Sequence, residues 1–254
     1  MLGEYQYHVH LNHGDVGRYI LLPGDPGRCK AIAAYLDNSR FVSSNREFTT
    51  YTGELNGEKV SVVSTGIGGP SAAIAMEELI KVGADTFVRV GTCGGMNREV
   101  TGGDLVIATA AVRAEGTSRE YLPLEYPAAA DFEVVCALAE AAEQSGFRRH
   151  IGVVQSKDSF YGQHAPETMP VADELLYKWN AWIAGGCLAS EMESAAVFSV
   201  AAVRSVRAGT VLLAIMNKDR RKLGLPDEEC YDIDRAIRVG VDAVKRLIEQ
   251  DCGQ

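Results

Sequence analysis

The fold is decided by Ser64-Thr65-Gly66-Ile67-Gly68-Gly69-Pro70-Ser71-Ala72-Ala73-Ile74-Ala75-Met76-Glu77-Glu78-Leu79. The apolar run 60–63 before it predicts a strand, and Ser71, a suitable helix N-cap, predicts a helix over residues 71–82. The glycines between them lack a Cβ atom, so the backbone there can adopt positive φ angles and approach a ligand closely. A strand, a bare-backbone turn and a helix start together form a site suited to an anionic or polar ligand.

Two further strand ends carry the same kind of loop. Strand 19–22 runs into Pro23-Gly24-Asp25-Pro26-Gly27-Arg28. Strand 86–90, which carries Arg89, runs into Gly91-Thr92-Cys93-Gly94-Gly95. Ligands of open α/β sheets collect outside the carboxyl ends of the strands, and arginine supplies a charged planar fork suited to phosphate. These loops therefore predict a site for phosphate or a phosphorylated ligand.

Arg89 has two interpretations. It lies within an apolar strand, where an unpaired cation would be costly. A buried ion pair with a carboxylate explains such a residue as well as a phosphate contact does. The residues alone leave both open.

Composition limits the class of protein. The chain has 254 residues, of which 46% are hydrophobic and 23% charged, as in ordinary globular proteins, and no Pro/Gly/Ser linker divides it. We therefore expect a single domain over residues 1–254. The net charge of −9 argues against nucleic-acid binding, and no apolar run is long enough for a membrane span. Without a signal-peptide pattern in residues 1–18, and with six scattered cysteines, we expect a cytoplasmic protein.

Apolar strands alternate with helices along the chain, which predicts a mostly parallel sheet with helices on both faces. The predicted strands cover residues 19–22, 58–64, 86–91, 104–111, 150–156 and 209–216. The predicted helices cover residues 27–35, 71–82, 132–145, 171–184, 190–205 and 229–250. Residues 41–55, rich in strand formers, predict an antiparallel insert.

Several motifs, in this order along the chain, resemble the landmarks of the nucleoside phosphorylase family, whose branches include uridine phosphorylases and hexameric purine nucleoside phosphorylases. They are Pro23-Gly24-Asp25-Pro26, Arg46-Glu47-Phe48-Thr49, the segment 64–79, Arg89-Val90-Gly91-Thr92, Phe160-Tyr161-Gly162-Gln163 and Glu191-Met192-Glu193-Ser194. The resemblance covers roughly residues 8–247 and is closest to the uridine branch.

The resemblance implies a fold and an activity. The fold is α/β, a single-domain three-layer α/β/α arrangement with a mixed, partly barrel-closed central sheet. The activity is phosphorolysis of uridine to uracil and ribose 1-phosphate in pyrimidine salvage, with inorganic phosphate as co-substrate and no required cofactor. The expected assembly is a homo-hexamer built from dimers that share active sites, with no nucleic-acid or membrane partner.

The resemblance also assigns roles to residues. Arg28, Arg89, Glu193 and Gln163 are the catalytic residues. Phosphate is held by Gly24, Arg28, Arg89 and Thr92, with Arg46 from the neighbouring subunit. Ribose is held by Thr92, Met192 and Glu193, with His8 from the partner subunit, and the base by Phe160, Gln163, His164 and Lys218. A monovalent cation at the dimer interface would use Glu47, Ile67 and Ser71, and we expect no other metal.

Other interpretations exist for most of these residues. The carboxylates of Glu191-Met192-Glu193, which we expect to open a helix, also suit the helix dipole alone. Phe160, expected in the loop after strand 150–156, could be a core aromatic rather than a stacking platform. The histidines near residue 10 could bind a metal, but no nearby carboxylate or cysteine completes the set. Cys93 is better explained as a small packing residue than as a nucleophile.

Two departures from the family pattern concern the base. The base-reading run is Gln163-His164-Ala165, without the usual arginine, which makes His164 the candidate replacement. Lys218 follows Asn217 where many members have arginine. Hexameric purine enzymes have a purine-protonating aspartate in this region; Asp219 is displaced from that position by a few residues, and Asn217 lies nearer to it. Three alternatives therefore stand beside the uridine reaction: purine nucleoside phosphorolysis, a nucleosidase that uses water, and a non-catalytic nucleoside-binding protein.

Overall fold

The computed structural model describes residues 5–253, so residues 1–4 and 254 of the expected domain lie outside the described part. The strands within it are β1 (Tyr19–Pro23), β2 (Asp37–Asn45), β3 (Phe48–Leu55), β4 (Glu58–Val63), β5 (Thr86–Gly95), β6 (Leu105–Ala114), β7 (Ala128–Ala129), β8 (Arg149–Lys157), β9 (Ala189–Glu191) and β10 (Arg207–Met216). The helices are α1 (Pro26–Ala33), α2 (Gly69–Lys81), α3 (Thr117–Tyr121), α4 (Phe132–Ser145), α5 (Phe160–His164), α6 (Ala172–Ala184), α7 (Ser194–Arg204), α8 (Lys218–Lys222) and α9 (Asp234–Cys252), with a 3₁₀ turn at Pro166–Thr168.

Five strands of one large sheet close into a barrel in the order β5-β10-β6-β8-β9 and back to β5. From β5 the sheet continues outward through β1, β4, β3 and β2. The mixed, partly barrel-closed sheet is confirmed. The expectation of a mostly parallel sheet is wrong, because the hairpins and the return of β6 and β9 make half of the strand pairings antiparallel.

Helices cover both faces of the sheet, as predicted. Strand β1 shows why: Ile20 and Leu22 point into the core beneath α2 and α7, whereas Tyr19 and Leu21 point into the core beneath α1, α4 and α9. Successive side chains of a strand alternate between the faces, so a strand buried on both sides has a continuous apolar sequence. This layering leaves the ends of the strands, rather than their faces, available for a ligand.

The start of α2 differs from the prediction. The helix begins at Gly69, and Gly68, with φ of +93°, occupies the N-cap position in place of Ser71. A positive φ there suits glycine and strains residues with a Cβ atom. The Ser71 hydroxyl instead contacts the Thr65 carbonyl and the Glu47 carboxylate.

The start of α7 also differs. The predicted helix 190–205 begins only at Ser194, and Glu191 is the last residue of β9. The backbone at Ser190 pairs with Gly94 on one side and with Gln155 on the other, and this pairing overrides local helix propensity. Glu191 and Glu193 therefore lie at a strand-to-helix corner.

Three other boundaries change. Residues 91–95, predicted as a loop, continue β5 and pair with β10 and β9. Phe160 and Gln163, predicted in a loop, lie on α5, and the last helix begins at Asp234 rather than at Glu229. Within residues 5–253, no helix combines the length and the apolarity needed to cross a bilayer.

Candidate active site

A cavity of about 840 Å³, the larger cavity, opens where β1, β5, β9 and β10 end. Residues predicted for phosphate, ribose and base line it together. They are Gly24, Arg28, Arg89, Thr92, Phe160, His164, Met192 and Glu193. Residues distant in sequence thus meet at strand ends, as expected for this class of sheet.

Arg89 is buried at the floor of the larger cavity and is paired there. Its Nε lies 3.3 Å from Glu191 Oε2, and its Nη2 donates to Glu193 Oε2. Burial by itself would lower the pKa of Arg89, but the Glu193 and Glu191 carboxylates outweigh it and hold that pKa above its usual value. The ion-pair interpretation is therefore realised in the structure.

Arg89 nevertheless retains one hydrogen-bond donor for a ligand. Its Nη1 is buried and has no hydrogen-bond partner among the described residues. A buried donor without an acceptor is costly, so such a group is suited to receiving an anionic ligand oxygen. Gly91 leaves room for this guanidinium, because a Cβ atom at that position would lie only 2.9 Å from Arg89 Nη2.

Arg28 supplies a second cation to the same cavity. It lies in the first turn of α1, behind the N-cap Asp25, whose Oδ2 is 3.8 Å from Arg28 Nε. Burial, and then the charge of Arg89, lower the pKa of Arg28 despite the opposing effect of Asp25. The two guanidinium groups are close enough for the charge of Arg89 to act on Arg28, so one anionic ligand in the larger cavity can contact both.

The two glutamates at the β9–α7 corner have different tasks. Glu191 accepts hydrogen bonds from the Ser156 hydroxyl and from the backbone N–H groups of Glu193 (2.9 Å) and Ser194 (3.0 Å). It therefore caps α7 and fixes the corner. Glu193 faces the larger cavity, and its Oε1 accepts from the N–H of Gly68 at 2.7 Å.

Glu193 is thereby joined to the glycine turn at the start of α2. Its burial raises its pKa, although Arg89 opposes the shift. Its two oxygens are held by a backbone donor on one side and a guanidinium on the other. Such a fixed acceptor suits hydroxyl groups that need a defined orientation.

A cavity of about 270 Å³, the smaller cavity, continues the site between the barrel and α6. Gln163 and Lys218 line it, and it shares Gly94, Lys157, His164 and Met216 with the larger cavity. The residues predicted for the base therefore lie beside those predicted for phosphate and ribose.

Phe160 is not a core residue. Its side chain is 50% exposed, and its ring stacks on His164 with centroids 4.2 Å apart. An exposed ring at the rim of the larger cavity is available for stacking on a ligand.

Lys157, which the sequence analysis missed, ends β8 and lines both cavities. Its buried Nζ donates to Ser190 Oγ at 2.7 Å, and Ser190 Oγ lies 2.8 Å from Gln163 Oε1. Burial lowers the pKa of Lys157 to about 8, although Glu191 opposes the shift. A lysine at the end of the apolar strand 150–156 was the sequence signal that could have identified it.

His164 and Lys218 supply less free charge than their sequence positions suggest. Burial, followed by the charges of Lys157 and Lys218, lowers the pKa of His164, so the imidazole is neutral at pH 7. The ammonium group of Lys218 donates to the backbone carbonyl of His164. Lys157 is therefore the buried cation that contacts this region through Ser190.

Within the described chain, neither His8 nor Arg46 lines the larger cavity. Arg46 is exposed at the tip of the β2–β3 hairpin with φ of +54°. His8 is held by Glu78 of α2, whose carboxylate lies 2.6 Å from His8 Nδ1 and also accepts from the N–H groups of His8 and Val9, both at 2.9 Å. Sequence reasoning missed Glu78, which it treated only as a residue continuing the helix.

The remaining predicted contacts are local. Ser71 Oγ lies 2.6 Å from Glu47 Oε1, and this hydrogen bond lowers the pKa of Glu47. Ile67 is 77% exposed. Burial raises the pKa of Cys93, which makes it a poor nucleophile, and residues 5–253 contain no cluster of His, Cys, Asp and Glu that could hold a metal.

Known proteins match this chain over nearly its whole length. The sequence profile of the Phosphorylase superfamily matches residues 18–249. The chain belongs to the phosphorylase superfamily. Within this superfamily it is 56% identical over 246 residues to a uridine phosphorylase of Treponema pallidum, covering 97% of this chain and 95% of that protein.

Two further members of the superfamily are less similar to this chain. A uridine phosphorylase of Thermococcus kodakarensis is 44% identical over 248 residues, covering 97% of this chain and 88% of that protein. A guanosine phosphorylase of Halorubrum lacusprofundi is 39% identical over 249 residues, covering 95% of this chain and 99% of that protein. The family predicted from the motifs is confirmed.

Proposed function

We propose that this protein cleaves uridine by phosphorolysis, giving uracil and ribose 1-phosphate. One observation carries the proposal. Two guanidinium groups and a fixed glutamate face the larger cavity, and one of the guanidinium groups has a buried donor that no described residue accepts. Gln163 lines the smaller cavity that continues it. The names of the relatives from Treponema pallidum and Thermococcus kodakarensis support uridine as the substrate.

Inorganic phosphate is the nucleophile in this proposal. Arg28 and Arg89 Nη1 would bind its oxygens, together with backbone or hydroxyl groups of Gly24 and Thr92. A phosphate oxygen forms a bond to the anomeric carbon while the bond from that carbon to the base nitrogen breaks, and the electron pair leaves with the base. The negative charge of the phosphate stabilises the oxocarbenium-like sugar between them.

Ribose is oriented by Glu193, whose carboxylate would accept from the sugar hydroxyls, and by packing against Met192. Arg89 favours the ionised form of Glu193 and holds the carboxylate in place through their ion pair. Holding the sugar and phosphate in attack geometry supplies much of the rate enhancement without a covalent intermediate.

The base is read by Gln163 and stacked by Phe160. Charge that develops on the departing uracil would be stabilised by Lys157, whose ammonium group lies one hydroxyl away from Gln163. Lys157, rather than neutral His164, would thus supply the positive charge that the missing arginine supplies in other members. Lys218 would act by fixing the backbone at His164.

The partner subunit would complete the site in the proposed homo-hexamer, which is built from dimers. His8 and Arg46, which lie away from the larger cavity of their own chain, would reach the ribose and the phosphate of the neighbour. We also propose a monovalent cation near Glu47, Ile67 and Ser71 at the dimer interface. A cytoplasmic location agrees with the unpaired state of the six cysteines in the structure.

Purine nucleosides are the second candidate substrates, because one relative is named guanosine phosphorylase. Base release from uridine, thymidine, inosine, guanosine and adenosine, each with and without phosphate, tests both candidates. Phosphate-dependent cleavage of uridine supports the proposal. Preference for a purine nucleoside, or release of base without phosphate, overturns it.

A further inference from the structure

Helix α6 packs loosely on the rest of the molecule. It is amphipathic, yet none of its residues is buried, and Leu176 and Tyr177 are 40% and 74% exposed. Its Leu175, Trp179 and Trp182 form one wall of the smaller cavity, which separates the helix from the barrel. Apolar packing therefore holds α6 weakly, and directional polar contacts gain importance.

The base-binding residues depend on the placement of α6. Residues 159–171, the base segment, carry α5 and the 3₁₀ turn and lead directly into α6. A Cβ atom on Gly162 would lie 3.7 Å from Leu175 Cδ1, so α5 rests on α6. Displacement of α6 would move Phe160, Gln163 and His164 with it.

A single side-chain hydrogen bond joins α6 to α8 within the described residues: Trp179 Nε1 donates to Asp219 Oδ2 at 2.8 Å. The acceptor end is firmly held. Asn217, fully buried at the end of β10, accepts from the Asp219 N–H at 3.1 Å and donates to the carbonyls of Asn97 and Val100. Asp219 is thus an anchor on the barrel, and through Trp179 it holds the loosely packed α6.

We propose that Asp219 is a positioning residue that sets the base segment over the nucleoside through its hydrogen bond with Trp179. This inference rests on the proposed nucleoside phosphorolysis. It gives the carboxylate a different task from the purine proton transfer considered from the sequence, because the carboxylate already accepts the indole N–H. The reaction step itself does not involve Asp219.

Trp179→Phe and Trp182→Phe form a matched pair. Both substitutions remove an indole that lines the smaller cavity, but in the described part of the chain only Trp179 donates a hydrogen bond from its indole. We expect Trp179→Phe and Asp219→Ala to raise the KM for uridine by about tenfold, which corresponds to about 1.4 kcal/mol, close to the lower end of what a hydrogen bond to a charged group contributes. Trp182→Phe should stay within about twofold of the unaltered protein, and the KM for phosphate should change in none of them.

Asp219→Asn tests the hydrogen bond itself, because the amide oxygen can still accept. It should recover most of the uridine affinity lost in Asp219→Ala. Equal uridine KM values for the two tryptophan variants would overturn the proposal. So would a parallel rise in the KM for phosphate, which would indicate general loosening of the site.

Hydrogen exchange provides a readout that needs no substrate. In Trp179→Phe, amides of residues 160–184 should exchange faster than in Trp182→Phe, while those of β5 and β10 stay unchanged. If the exchange rates of the two variants are equal, the anchoring role is wrong. If exchange differs but uridine is not cleaved by the unaltered protein, the anchoring role stands and the proposed function fails.

Discussion

Lys157→Met should change the pH dependence of the reaction in a defined way. Burial lowers the pKa of Lys157 to about 8, so the free enzyme carries the ammonium group below that pH and loses it above. If the cation stabilises the departing base, kcat/KM for uridine should fall about tenfold per pH unit above pH 8. Methionine has a similar length and no charge, so the variant should lose this fall.

The expected loss of activity in Lys157→Met follows from the role proposed for this lysine. Removing one preorganised group that stabilises developing charge typically lowers the rate by about 10²–10³. The variant should fold with unchanged or higher stability, because it removes a cation from a buried position and keeps the volume. The substitution should therefore lower the activity without lowering the free energy of unfolding.

The assay is the initial rate of uracil release between roughly pH 6 and pH 10, a range that brackets the lysine titration. Ionisation of uridine itself affects both enzymes equally, so the ratio of their rates isolates Lys157. Lys245→Met is the control, since Lys245 pairs with Asp242 on the surface of α9 and lines neither cavity. A pH profile of Lys157→Met parallel to that of the unaltered protein would refute the reasoning.

Three other predictions concern single residues. Arg89→Met should lower the free energy of unfolding by about 3–5 kcal/mol in chemical denaturation, because it leaves two buried carboxylates unpaired. Arg28→Met should lower it by less than about 1 kcal/mol and act mainly by raising the KM for phosphate. Equal destabilisation by both variants would contradict this prediction. Glu78→Gln should weaken discrimination between uridine and 5′-deoxyuridine by releasing His8, and an unchanged ratio would show that this contact does not orient His8 for the sugar. Cys93 should resist alkylation at pH 8 in the folded protein, because burial raises the pKa of its thiol; rapid labelling, followed by mass spectrometry, would contradict that.

The sequence predicted the architecture well because the strong signals were local. Apolar runs that end in glycine turns correctly indicated β1, β4 and β5, and the alternation of strands and helices correctly indicated a layered α/β fold. The barrel closure came only from the family resemblance. Closure depends on pairings such as β10 with β6, which join segments distant in sequence and leave no periodic pattern.

The β9–α7 corner shows where local reasoning failed. Glu191, Met192 and Glu193 look like the acidic first turn of a helix, and carboxylates do favour that position. The tertiary pairing of Ser190 with two neighbouring strands moves the helix start to Ser194. The role proposed for Glu193 does not depend on this boundary, because it rests on the motif rather than on the helix.

The cation near the base could not be predicted from a motif. The sequence indicated His164 and Lys218 as candidate cations, because each directly follows a residue of a family motif. Lys157 lies three residues before Phe160, on a different element, and only folding brings it beside Gln163 through Ser190. The low pKa of His164 is likewise a property of burial and of neighbouring lysines, which the sequence does not reveal.

The most direct test of the central claim is a stoichiometric measurement of uridine turnover in the presence and absence of inorganic phosphate, with uracil, phosphate and ribose 1-phosphate followed together. The account predicts that each uracil released consumes one phosphate and yields one ribose 1-phosphate, with no release when phosphate is removed. Release of uracil and free ribose at the same rate without phosphate would contradict it.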